Sequence, residues 1–117
     1  MAEYQIYHNP RCSKSRQTLA LLEEKGIAPE VILYLQTPPD AATLKRLVKQ
    51  LSLEHPHALV RTGEADYAEA GLSPDSDAAT VINAMVRYPK LIERPIVVHG
   101  KRAVLGRPPE NVLSLIA

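Results

Sequence analysis

The spacing of apolar and polar positions changes character along the chain, and each change marks an element. Tyr4 to Tyr7 (YQIY) is short and β-prone and reads as a first strand. HNPRCSKS follows, rich in turn and cap residues. From Ser13 to about Lys25 the pattern is helical, with Leu19, Leu21 and Leu22 as apolar contributors and Gly26 as the C-terminal stop. Val31 to Tyr34 (VILY) is a continuous apolar run, the pattern of a buried strand. The opening therefore reads as β-α-β, a parallel crossover unit.

The middle reads as helical. Asp40 is placed to cap a helix carrying Leu44, Leu47, Val48 and Leu51, an i, i+3, i+4, i+7 stripe. His55 to Pro74 offers short helical stretches, and Ser76 or Asp77 can cap a further helix with Val81, Ile82, Met85 and Val86 on one face, ended by Pro89. RPIVV then reads as a buried strand, His99-Gly100 as a turn and RAVLG as the returning strand of a hairpin. Pro108 and Pro109 precede a last helix with Val112, Leu113, Leu115 and Ile116. The order is β-α-β, a helical insert, then β-β-α. That predicts an α/β chain with a thioredoxin-like fold and a helical insertion over about 40–90, the 117 residues forming one domain.

Composition narrows the function. Apolar residues make up 45%, and with no Trp and no Phe the core must be built largely from aliphatic side chains. The formal net charge of +1 gives no basic surface for nucleic acid and no polybasic membrane anchor. No apolar run approaches the ~20 residues of a membrane span, and the N-terminal residues lack a signal pattern, so the cytoplasm is the default expectation. A single cysteine excludes an intramolecular disulfide and a multi-cysteine zinc site, and nothing suggests a metal or a bound organic cofactor.

That cysteine, Cys12, lies between a strand end and a helix start. Helix N-termini offer unpaired N–H groups and the positive end of the macrodipole, which favour both a thiolate and a bound oxyanion. Arg11, Lys14 and Arg16 add positive charge, and the polar neighbours argue against the alternative of an inert buried thiol. His8 closes the preceding strand, where it either serves the thiol or simply orders the loop. Ser15 stands where a second cysteine would complete a Cys-x-x-Cys pair, so an oxidised or adducted Cys12 needs a thiol from outside; the Ser15 hydroxyl is a candidate donor to the thiolate or an oxyanion. Arg94 and Arg107 each precede a proline, which pushes them to extended geometry. Guanidinium groups suit tetrahedral oxyanions, although on pattern alone each arginine fits a surface ion pair as well.

HNPRCSKSRQTL, ILYLQTPP, KLIERPIVV and LGRPPE, four motifs in register over essentially the whole chain, resemble the glutaredoxin-linked arsenate reductases of the ArsC/Spx-like group, especially its short members. The resemblance implies a thioredoxin-like fold with a helical insertion and a cis peptide before Pro95. It implies Cys12 as nucleophile, His8 as the residue that tunes it, and Arg61, Arg94 and Arg107 as oxyanion ligands. It also implies arsenate as substrate, glutathione as co-substrate and glutaredoxin as protein partner. Arg11 departs from the family pattern, which has a small residue there, and is expected either to enhance anion binding or to narrow the pocket. Two other functions fit the same fold: an Spx-like regulator that binds RNA polymerase, and a glutathione-linked monothiol oxidoreductase acting on another substrate.

Overall fold

A computed structural model of the chain describes residues 3–116. Four strands form one sheet in the order β2-β1-β3-β4. Strand β1 (Tyr4–Tyr7) pairs in parallel with β2 (Glu30–Ile32) and antiparallel with β3 (Ile96–His99), which pairs antiparallel with β4 (Arg102–Leu105). Helix α1 (Ser13–Glu24) makes the crossover from β1 to β2, and Gly26, with φ +79°, occupies the left-handed conformation that ends it. This is the thioredoxin-like fold expected from the element order.

The residues up to Thr37 together with those from Arg94 onward form one compact unit, and Pro38–Glu93 forms another. In the first, Ile6 of β1, Leu22 of α1 and Val97 of β3 meet Val112 and Leu115 from the C-terminal segment in a buried aliphatic cluster. That segment is a 3-10 turn, Pro109–Val112, running into a short helix. In the second unit, α2 (Ala41–Gln50) is capped by Asp40, whose carboxylate accepts the Thr43 N–H at 2.8 Å. A short helix, α3 (Ala65–Glu69), precedes α4 (Ala78–Arg87), which is capped in the same way by Asp77 through Thr80. Leu44 and Leu47 of α2 and Val81, Ile82 and Met85 of α4 are buried, as the stripes require. The C-terminal helix of the chain is α5 (Leu113–Ile116).

Two expectations need correction. The run Val31–Tyr34 is not a buried strand. Only Glu30–Ile32 is extended, it lies at the sheet edge, and Val31 is 44% exposed. Leu33 instead opens a turn in which its carbonyl accepts the N–H groups of Gln36 and Thr37, and only Tyr34 of the run is deeply buried. An apolar run fits two-sided burial only where both faces of the strand are covered, and at this sheet edge Val31 is left open to solvent. The hairpin turn is Gly100-Lys101, not His99-Gly100: His99 still pairs with Arg102, and Gly100 takes the positive φ of +63°.

Candidate active site at the start of helix α1

Cys12 is the N-cap residue of α1, with extended backbone (φ −93°, ψ 123°) and no side-chain cap on the helix start. The helix has no acidic residue in its first turn, so nothing there offsets its positive end. The loop before it is closed on itself. Cys12 N–H donates to the Asn9 carbonyl at 3.0 Å, and Arg11 N–H to the Asn9 side-chain oxygen at 3.0 Å. Arg16 Nη1 donates to the Pro10 carbonyl at 2.9 Å. The thiol is partly exposed, which suits a reacting group rather than a packing one.

Ser15 organises this loop from below. It is fully buried, its Oγ lies 2.6 Å from His8 Nδ1, and it accepts the Asn9 N–H at 3.0 Å. Burial, and secondarily the Arg16 charge, hold the His8 pKa below its ordinary value of 6.5, so the ring is neutral at neutral pH. A neutral ring has one donor nitrogen. The tautomer therefore decides whether the Ser15 hydroxyl is given to His8 or remains to donate elsewhere. His8 and Ser15 are thus brought together as a buried pair beneath the loop that carries Cys12.

The chain's C-terminal third supplies the cations. Arg107 Nη1 lies 3.9 Å from Cys12 Sγ and donates to the Arg94 carbonyl at 3.1 Å. The peptides Arg94–Pro95 and Arg107–Pro108 are both cis, the first as the resemblance implies. Gly106 joins these two segments to α1. Its N–H donates to the Pro95 carbonyl at 3.0 Å, and its own carbonyl accepts from buried Thr18 at 3.3 Å. A Cβ here would collide with Thr18 and stand 2.9 Å from Pro95 Cγ. Local pattern marks neither Gly106 nor Thr18, because LGRPP reads only as a strand end and a Thr inside a helix carries no distinctive signal.

Arg61 stands in the Pro38–Glu93 unit. Its guanidinium meets Glu64 at 2.9 Å and Glu93 at 3.5 Å. A single antiparallel bridge, Val60 with Ile92, brings the segments together, and Arg61 N–H donates to the Leu91 carbonyl at 2.7 Å. Glu64 is three residues away and readable as a partner. Glu93 is thirty-two positions distant, and only the bridge makes it one.

Among the described residues, no group of three or more His, Cys, Asp or Glu side chains is placed to hold a metal ion. No helix of the described chain is long and apolar enough to cross a membrane.

Known proteins place this arrangement in context. The sequence model of the ArsC family matches residues 7–115. The uncharacterised protein YfgD of Escherichia coli (strain K12) is 53% identical over 115 residues, 97% of each chain. An arsenate reductase of Neisseria meningitidis is 45% identical over 117 residues, 99% of this chain and 100% of its own. Among solved structures, an arsenate reductase from Vibrio cholerae superposes with a TM-score of 0.93 at 52% identity, covering 97% of both chains.

Proposed function

The chain belongs to the ArsC family, and on that premise we propose that it is an arsenate reductase whose nucleophile is the Cys12 thiolate and whose reducing equivalents come from glutathione and glutaredoxin. The observation that carries the reading is the placement of Cys12 Sγ at an uncapped helix start, 3.9 Å from the Arg107 guanidinium. A negative sulfur and a negative oxyanion both gain from that field. The arsenate reductases of Neisseria meningitidis and Vibrio cholerae, similar over nearly the whole chain, favour arsenate as the oxyanion.

In this reading Arg107 and Arg94 hold arsenate beside α1; the family resemblance also implies Arg61 as an oxyanion ligand. The Cys12 thiolate attacks arsenic and forms an S–As bond, while one arsenate oxygen takes up protons and leaves as water. The arginines offset the charge that builds on the remaining oxygens. A glutathione thiolate then attacks Cys12 Sγ. The S–S bond forms as the S–As bond breaks, and its electron pair stays on arsenic, which leaves as arsenite, reduced from As(V) to As(III). A glutaredoxin thiolate attacks the glutathione sulfur and returns Cys12 as the thiolate. With one cysteine in the chain, both sulfur nucleophiles of the resolving steps must come from outside.

The test is arsenate-dependent NADPH consumption coupled through glutathione, glutathione reductase and glutaredoxin. The expected result is turnover by the wild type, none by Cys12→Ser, and raised KM for arsenate in Arg94→Ala and Arg61→Ala. A wild type that shows no arsenate-dependent turnover, while its Cys12 alkylates fast at neutral pH, overturns arsenate as the substrate.

A further inference from the structure

Because β1 and β2 run in parallel, the loops that leave them emerge at the same end of the sheet. In open α/β sheets this is where ligands bind. One wall of the space between them is the loop His8–Arg11, whose Asn9 carbonyl holds the Cys12 amide. The other is the turn after β2, with Leu33, Leu35 and Gln36. The two enclose a pocket of about 250 Å³. Pockets for drug-sized ligands run to about 300–1,000 Å³, and this one lies just below that range.

We infer that this pocket receives the resolving thiol, and that the thiol it fits is a small anionic peptide thiol of the glutathione kind. The charge at the pocket is one-sided. Arg11 lines it, and Arg16 is fastened to the carbonyl of Pro10, another lining residue, at 2.9 Å. No carboxylate lines it, and with His8 neutral the Arg11 guanidinium is the charge among its lining residues. A carboxylate-bearing ligand is matched by a guanidinium group, which can hold both carboxylate oxygens at once. Leu33 and half-exposed Leu35 offer an apolar wall to the methylene parts of such a peptide, and Gln36 offers both a donor and an acceptor. The pocket is tied to the reacting residue through its wall, since Cys12 directly follows Arg11 and its N–H is held by the carbonyl of Asn9, a lining residue.

The inference rests on the reading of Cys12 as a thiolate regenerated from outside. Its test contains no arsenate, so it stands or falls separately from arsenate turnover. Cys12 of the full chain is converted to the mixed disulfide with 5-thio-2-nitrobenzoate. Release of that chromophore is then followed as glutathione attacks Cys12 Sγ and the Cys12–glutathione disulfide forms, identified by intact mass. The expected rate saturates with glutathione, is inhibited by S-methylglutathione, and rises linearly with neutral 2-mercaptoethanol. Arg11→Ala raises the half-saturating glutathione concentration about tenfold, the scale of one lost charge-assisted contact, and leaves the 2-mercaptoethanol rate within about twofold. Leu35→Glu, a change at a 41% exposed position outside the core, weakens saturation in the same selective way. A glutathione rate that stays linear and indifferent to S-methylglutathione overturns the inference. So does an Arg11→Ala effect of equal size on both thiols, which would place Arg11 on the Cys12 sulfur and not on the incoming thiol.

Discussion

The guanidinium of Arg107 stands 3.9 Å from Cys12 Sγ, although the two residues are 95 positions apart. At that separation a unit charge pair is worth about 1 kcal/mol in bulk water and more where solvent is partly excluded. Arg107→Ala is therefore expected to slow alkylation of Cys12 by iodoacetamide at pH 7 by about fivefold or more. The deficit shrinks as salt is raised, because the arginine is exposed and its field is screened. Equal rates for the two proteins at low salt would remove Arg107 from the thiol's environment.

Gly106 predicts a second loss, arising from packing. Gly106→Ala forces a Cβ against Thr18 and Pro95. Overpacking of this kind costs about 1–3 kcal/mol, so the urea midpoint falls. Cys12 alkylation falls with it, since Arg107 is the next residue and must shift. Gly106→Ser gives the same result, and a midpoint unchanged by either substitution would show that the contact relaxes freely.

Ser15 makes its case through the groups it serves. Ser15→Ala leaves buried His8 Nδ1 and the Asn9 N–H without their partner. Orphaned buried polar groups cost about 1–3 kcal/mol, measurable as a lowered thermal midpoint. Ser15→Thr keeps the hydroxyl but adds a methyl in a fully buried site, so it restores the midpoint only in part.

The pH dependence of stability follows from His8. Its pKa is below 6.5 in the folded protein, because burial and then Arg16 disfavour the charged ring. Between the folded value and 6.5 the unfolded chain binds more protons than the folded one. Stability from this group is therefore full above pH 6.5 and declines as pH falls through the folded pKa. Asp40 and Asp77, held below their ordinary value of 3.8 by hydrogen bonds from Thr43 and Thr80, act only at more acid pH. Urea midpoints measured from pH 7.5 to 5 should drop for the wild type and stay flatter in His8→Gln. Parallel slopes for the two would assign the dependence to another group.

Much of this was legible from local pattern. The turn-rich HNPRCSKS segment between a strand and a helix is enough to put Cys12 at a helix start, because strand and helix formation depend on nearby residues. The caps Asp40 and Asp77 follow in the same way, since each acceptor and its donor are three residues apart. The cysteine count alone excludes a disulfide within the chain. Strand order was harder: VILY is apolar enough for an inner strand, yet β2 lies at an edge, because position in a sheet is settled by which other strands pair with it.

What only the tertiary structure decided is which distant groups meet. Nothing local tells that Arg107 reaches the Cys12 sulfur, that Gly106 threads between Thr18 and Pro95, or that Glu93 shares Arg61 with Glu64. Each of these depends on segments far apart in sequence being brought within a few ångströms by strand pairing and core burial. Coulomb and contact forces act over that short distance, and sequence separation carries no information about it. The residues and their chemical types are set by the sequence, whereas the field around the thiol is set by the fold.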